Sequence, residues 1–291
     1  MKQFTLSTMS SLRNRIVVVK YGGAAMTSDS LKQSFAEEMA IMKKAGIRLV
    51  IVHGGGKEIT AVADKLGIAT TFIQGQRYTD AAMTEVVQMV LGGKINQDVV
   101  ARLNTEGVSA VGVSGVDAGL LQVQRATGEV DLGLVGEIVN VNTLHLHTLL
   151  DAGFTPVIAP IGADQSGQEY NINADVAAAE IARALGAEKL FLLSDVDGVH
   201  ADGARLASLT ETEADELIAT GVISNGMIPK MRSAFHALQC GVEAVHLVDG
   251  RVARSILREL STGPTGGPAR GTSYGTKLIS QPHHAPQEMA G

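Results

Sequence analysis

The chain of 291 residues has no tryptophan, one cysteine and only 3% aromatic residues. Nucleic-acid bases would find little to stack on, and a formal net charge of −6 repels a polyanion, so DNA- and RNA-binding roles are not expected without a basic face, which the sequence does not display. The single thiol, Cys240, cannot close an intrachain disulfide, so a disulfide-stapled secreted scaffold is excluded and a reducing, cytoplasmic setting is expected. Its apolar, helical surroundings predict a buried and inert side chain. No apolar run approaches the roughly 18 residues of a membrane span, and the N-terminus has no basic-then-apolar leader pattern. Two nucleotide-binding strings are missing as well. GxxxxGK[ST] occurs nowhere, and Lys20-Tyr-Gly-Gly-Ala-Ala25 after the first apolar run is not GxGxxG, which argues against P-loop enzymes and Rossmann dehydrogenases.

What the chain does have is 33 glycines and 45% hydrophobic residues, mostly Val, Ile, Leu and Ala, the make-up of a buried parallel sheet with many tight turns. Short β-branched runs alternate with helical patterns. Strands are expected at Ile16–Val19, Leu49–Val52, Ala110–Ser114, Pro156–Ala159, Lys189–Ser194, Ala244–Val248 and Thr276–Ile279. Helices are expected at Leu31–Ala45, Glu58–Leu66, Ala81–Asn104, Thr143–Ala152, Ala174–Leu185, Glu213–Ala219, Lys230–Gln239 and Ala253–Leu260. Leu120–Gln124 and Leu134–Val141, with Gly128 and Gly133 between them, read as an antiparallel hairpin. The economical fold is α/β, a three-layer αβα sandwich with a central, mostly parallel sheet and one β-hairpin excursion. The Gly/Pro/Ser/Thr-rich stretch Ser261–Tyr274 predicts a mobile loop, and the polar tail from Gln281 to Gly291 predicts disorder.

Ligands of such sheets gather beyond the carboxyl ends of the strands, where turns expose backbone N–H groups. Gly22-Gly23 follows the first predicted strand and Gly54-Gly55-Gly56 the second, so the chain can approach an anion closely at both rims. Lys20 would project at the same rim. Lys230 stands at a helix start, where the positive end of the dipole disfavours a cation unless an anion is near. Asn171-x-Asn173-x-Asp175 opens a helix; one of the three is explained as a cap, and an extended alternation would point all three the same way. Arg77 lies in a predicted loop and suits a carboxylate bidentately. His53 is read as structural, and His145, His147, His283 and His284 lack metal-ligand spacing. Asp195-Val-Asp-Gly198 reads as a turn after a strand rather than as a calcium loop.

Taken in order, Lys20-x-Gly-Gly, His53-Gly-Gly-Gly, Gly75-x-Arg77-x-Thr, Asp131-Leu-Gly-x-Val-Gly136, Asn171-x-Asn-x-Asp175, Leu193-Ser-Asp-Val-x-Gly198 and Gly226-Met-x-x-Lys230 resemble the amino-acid kinase family, within it the kinases of N-acetyl-L-glutamate. The resemblance covers residues 16 to 279. It implies one domain over 15–280, with an acceptor lobe to about 185 and a nucleotide lobe from about 186. It further implies transfer of the ATP γ-phosphoryl group to the acceptor's side-chain carboxylate, in arginine biosynthesis, with Mg²⁺ held mainly by the phosphates. By resemblance, Lys20 and Lys230 flank the phosphoryl group and Asp175 holds both ammonium groups. Gly55, Gly56, Arg77, Asn171 and Asn173 bind the acceptor. Gly22, Gly23, Asp195, Val196, Asp197, Gly198, Val199, His200, Val222, Ile223 and Ser224 serve the nucleotide. A homodimer insensitive to arginine is expected, since about fifteen residues precede the first strand and Arg254 stands where arginine-inhibited members commonly carry His. Kinases of N-acetyl- or carrier-linked aminoadipate and a non-catalytic ligand sensor are the competing readings.

Overall fold

The computed structural model describes residues 9–224, 226–261 and 274–280. β1 (Ile16–Tyr21) leads through a 3₁₀ turn to α1 (Asp29–Lys44), β2 (Arg48–His53) and α2 (Gly56–Lys65). A small hairpin, β3 (Phe72–Ile73) with β4 (Gln76–Arg77), precedes α3 (Ala81–Val87), a π-helical segment Gln88–Ile95 and α4 (Asn96–Thr105). β5 (Ala110–Ser114), β6 (Leu121–Arg125), β7 (Gly136–Val141), α5 (Leu144–Asp151), β8 (Thr155–Ala159), β9 (Ile161–Ala163), β10 (Glu169–Asn171) and α6 (Ala174–Ala184) follow. The remainder comprises β11 (Lys189–Ser194), β12 (His200–Ala201), β13 (Ala204–Arg205), β14 (Ser208–Leu209), α7 (Glu211–Ala219), α8 (Met227–Gln239), β15 (Ala244–Asp249), α9 (Ser255–Leu260) and β16 (Gly275–Leu278).

The main sheet has the order β14-β16-β15-β11-β1-β2-β8-β5 and is parallel except where β15 meets β16. Its central strands are buried on both faces, which is why they read as unbroken apolar runs. Alternate side chains feed two cores. Val17, Val19, Leu49 and Ile51 pack under α1 and α4, and Val18, Val50 and Val52 pack under α6 and α8. These cores on opposite faces make the three-layer sandwich that the periodicity predicts. Local chemistry starts the helices: Ser28 accepts from Leu31 N at 3.3 Å to open α1, and Thr210 and Glu213 form a reciprocal capping box on α7.

Four expectations change. The predicted hairpin exists as β6 and β7, but it belongs to a second sheet of order β10-β9-β6-β7. β9 and β10 are three residues each and flank a polar Asp-Gln-Ser-Gly turn, so they read as loop. The long helix Ala81–Asn104 carries the π-helical segment inside it. Arg77 lies on β4 rather than in a loop, in a hairpin whose turn residues Gln74 and Gly75 both have positive φ. Cys240 is exposed, not buried, because α8 ends at Gln239 and the thiol falls past the face formed by Met231, Phe235 and Leu238. The predicted loop at 261–274 and the tail at 281–291 lie almost wholly outside the described residues.

Candidate active site

β1 and β2 run in register, Tyr21 opposite His53, so their glycine turns emerge side by side. Gly54 N donates to the Tyr21 carbonyl at 2.7 Å. A Cβ on Gly22 would stand 3.2 Å from Gly54 N and 3.5 Å from Lys20 Nζ, so the two turns close tightly around the lysine. Gly55 is the cap residue of α2, and a Cβ there would strike Ile95 Cδ1 at 2.2 Å and Leu91 Cδ2 at 2.6 Å. The wide turn of the π-helical segment thus lays both side chains against the glycine backbone.

Asp175 sits in the first turn of α6. Its backbone N–H is fixed by the Asn173 side chain, which accepts from Asp175 N at 2.8 Å and Val176 N at 3.3 Å. Lys20 Nζ lies 3.1 Å from Asp175 Oδ1, and Lys230 Nζ, from the first turn of α8, lies 2.8 Å from Oδ2. Burial by itself would raise the Asp175 carboxyl, but the two ammonium groups outweigh it and hold the pKa down at about 2. Burial, helped by Lys20, pulls Lys230 below the ordinary lysine value, with Asp175 opposing. Two cations share one anion at the N-termini of two helices, which leaves a desolvated positive excess suited to an anionic ligand.

A cavity of about 290 Å³ opens here, lined by Lys20, Asp175 and the Gly54–Gly56 turn at one end and by Arg77 and Asn171 elsewhere in its wall. Arg77 is 7% exposed and donates to the Gly56 carbonyl at 2.8 Å and Thr60 Oγ1 at 2.9 Å. Burial lowers its pKa against the pull of Asp64, yet a guanidinium so placed stays charged. Ile59, Leu91, Val135 and Pro160 supply an apolar wall able to take an acyl group.

A second cavity, of about 320 Å³, lies beyond β11 and is lined by the Asp195–His200 turn, Val222–Ser224, Met227 and Arg251. Asp197 is held below the ordinary carboxylate value: burial opposes, but His200 at 2.8 Å and Arg205 at 3.2 Å prevail. Thr276 on β16 pins the turn, accepting from Val199 N at 2.9 Å and donating to the Leu206 carbonyl at 2.7 Å.

The residues singled out from the sequence therefore collect around two openings. Gly23, Gly55, Gly56, Arg77, Asn171, Asn173, Asp175 and Lys20 line the first, and Asp195–His200 with Val222–Ser224 line the second. Lys230, one turn beyond Met227 of the second cavity, reaches Asp175 of the first. Gly22 lies buried behind, against Gly54. The Asn171-to-Asp175 segment is not extended throughout: Asn171 ends β10, Asn173 caps α6 and Asp175 is helical, although all three face one cavity. Sequence reasoning passed over Leu91, Thr276 and Arg251, and placed Thr79 as the last residue of the Gly75-x-Arg77-x-Thr motif. The strand-end rule could have found Arg251, which follows the Asp249-Gly250 turn.

His53 is no general base. Burial, opposed by the Gly54 carbonyl, pushes it down to about 4, and its Nε2 accepts from the Asn96 carboxamide at 3.1 Å. Among the described residues no group of three or more His, Cys, Asp or Glu is placed to hold a metal ion, and both oxygens of Asp175 are engaged by lysines.

A three-layer sheet that presents paired lysines and glycine turns at its carboxyl rim defines a class of enzymes acting on anionic small molecules. The chain belongs to the amino acid kinase family, whose model matches residues 15–249. It is similar to the acetylglutamate kinase of Chlorobaculum tepidum, 47% identical over 277 residues that make up 95% of this chain and 96% of that protein. The acetylglutamate kinase of Symbiobacterium thermophilum is 48% identical over 259 residues, 85% of this chain and 88% of that protein. In fold it resembles the N-acetylglutamate synthase of Neisseria gonorrhoeae solved with coenzyme A and N-acetyl-glutamate, with a TM-score of 0.83 at 24% identity. That likeness covers 97% of this chain but 63% of the synthase, so this chain spans under two thirds of the synthase's length.

Proposed function

We propose that the chain is an acetylglutamate kinase, which phosphorylates the side-chain carboxylate of N-acetyl-L-glutamate with ATP in arginine biosynthesis. The observation that carries this reading is the pair of lysines on Asp175, where the first cavity meets the helix that borders the second. A carboxylate acceptor is ionised at neutral pH, so no base has to remove a proton, which agrees with a buried His53 held neutral at that pH. The obstacle is charge. An anionic oxygen must attack an anionic phosphorus, and the transition state spreads charge over the transferring oxygens.

In this reading Lys20 and Lys230 stabilise that charge from two sides, and Asp175 keeps their ammonium groups apart and aimed. Gly23, Gly55 and Gly56 donate backbone N–H groups to phosphate or acceptor. Arg77 and Asn171 hold the α-carboxylate, with Asn173 at the helix cap. The bond from the acceptor carboxylate oxygen to the γ-phosphorus forms as the bond from phosphorus to the β–γ bridging oxygen breaks, leaving an acyl phosphate and ADP. Asp195–His200 and Val222–Ser224 hold adenine and ribose in a nucleotide lobe from about residue 186, and residues from about 15 to 185 form the acceptor lobe. Mg²⁺, which neutralises phosphate charge when bound, fits this donor set only as an ion carried by phosphate and water, since Asp175 is taken by the lysines. No helix among the described residues is long and apolar enough to cross a membrane. A cytoplasmic homodimer insensitive to arginine completes the proposal.

The test is ADP formation with MgATP and N-acetyl-L-glutamate, with N-acetyl-aminoadipate, free glutamate and no acceptor as controls and hydroxylamine present to trap acyl phosphate. Turnover confined to N-acetyl-L-glutamate, with hydroxamate formed, is expected. Preference for the longer acid would move the enzyme to lysine biosynthesis, and no turnover with any acceptor would make the chain a ligand sensor.

A further inference from the structure

The stretch Asp131–Gly136 ties together the two segments that carry the side chains assigned to the acceptor's α-carboxylate. Its middle residue, Leu134, lies as a backbone wedge between Thr79, just past β4, and Asn171 at the end of β10. Leu134 N donates to the Thr79 carbonyl at 2.6 Å, and the Leu134 carbonyl accepts from Asn171 N at 3.0 Å. Thr79 N donates in turn to the Leu132 carbonyl at 3.0 Å. Gly133 permits this approach. It has φ +73°, and a Cβ there would come within 2.3 Å of the Thr79 oxygen. Asp131 Oδ1 fixes the turn by accepting from Gly133 N at 2.9 Å.

Thr79 closes the ring directly. Its side chain is fully buried; the hydroxyl donates to the Arg77 carbonyl at 3.1 Å and accepts from Asn171 Nδ2 at 3.2 Å. One hydroxyl thus links the backbone that carries Arg77 to the amide of Asn171. We propose that Thr79 is a positioning residue for the acceptor: its hydroxyl sets the separation and orientation of Arg77 and Asn171, while its backbone is anchored on the wedge at Leu134. The proposal rests on the functional reading above for the identity of the acceptor, though the ring itself does not depend on it.

Thr79→Val keeps the shape and the backbone bridges but removes the hydroxyl, leaving the Asn171 amide without its partner. The Michaelis constant for N-acetyl-L-glutamate is expected to rise about tenfold, that for ATP to stay within about twofold, and Thr79→Ser to retain wild-type values. An unchanged acceptor constant in Thr79→Val, a parallel rise for ATP, or a rise in Thr79→Ser would overturn the proposal. If the wild-type enzyme does not turn over N-acetyl-L-glutamate, the functional reading fails, and the side-chain ¹⁵N amide signal of Asn171, assigned by its loss in Asn171→Ala, decides instead. That signal is expected to shift in Thr79→Val and not in Thr79→Ser; no shift in Thr79→Val would overturn the ring.

Discussion

Lys20 and Lys230 come from the first strand and from a helix far along the chain, yet they bind the two oxygens of one carboxylate, 3.1 Å from Oδ1 and 2.8 Å from Oδ2 of Asp175. Each lysine has a side-chain exposure of 11%, so neither ammonium is freely hydrated. Asp175 makes it possible to bury both next to each other, and it leaves their outer N–H bonds for a further anion.

Lys230→Ala is therefore expected to act on the chemical step. Steady-state kinetics should show kcat reduced roughly 10²–10³-fold while the Michaelis constant for ATP changes little, the pattern of an interaction strongest in the transition state. Turnover near the wild-type rate would remove Lys230 from the mechanism.

Asp175 also ties stability to pH. Its folded pKa of about 2 lies below the unfolded value of 3.8, so the unfolded chain binds more protons between these pH values. The carboxylate's contribution, about 2 kcal/mol, is fully present above roughly pH 4 and is lost as pH falls through 2. Urea unfolding of wild type and Asp175→Asn should show a stability gap that is constant from pH 5 to 7 and shrinks below pH 4. A gap independent of pH would contradict the assignment.

Gly55 has an extended backbone, φ 174°, so substitution there strains nothing locally and the space alone decides. Gly55→Ala drives a methyl into Ile95 Cδ1 and Leu91 Cδ2, and Leu91 lines the first cavity. A weaker acceptor Michaelis constant is expected, at a stability cost of about 1–3 kcal/mol. Ile95→Val, which removes the atom met at 2.2 Å, should partly restore both in the double variant. A double variant no better than the single one would reject the collision as the cause.

Thr276 on β16 holds the turn that lines the second cavity. Thr276→Val removes the acceptor of Val199 N and the donor to Leu206, freeing the Asp195–His200 turn from the sheet. The Michaelis constant for ATP should rise about tenfold with the acceptor constant unchanged, the mirror of the outcome expected at Thr79. Equal loss for both substrates would mean general destabilisation.

Much of this was legible in local patterns. The β1 and β2 runs and their glycine turns could be read because strand periodicity and the freedom of glycine act over a few residues. The α6 start at Asn173 could be read because capping is a local exchange between a side chain and the next N–H groups. The same locality explains the misses. β9 and β10 are too short to show a period, and the π-helical turn at Gln88–Ile95 differs from an α-helix in its i→i+5 hydrogen-bond spacing, which the apolar pattern of so short a segment does not reveal. Cys240 looked buried from its neighbours, but its exposure depends on where α8 stops.

The three-layer architecture, the order of the glycine and lysine blocks along it, and the absence of a P-loop could all be read from the chain alone, because each follows from residue type and short-range spacing. That Lys20 and Lys230 meet on one carboxylate, that β16 runs against β15, and that Thr79 bonds Asn171 became visible in the folded chain alone. Those relations join segments far apart in the chain, and their geometry is set by how the sheet, its helices and the second sheet pack together.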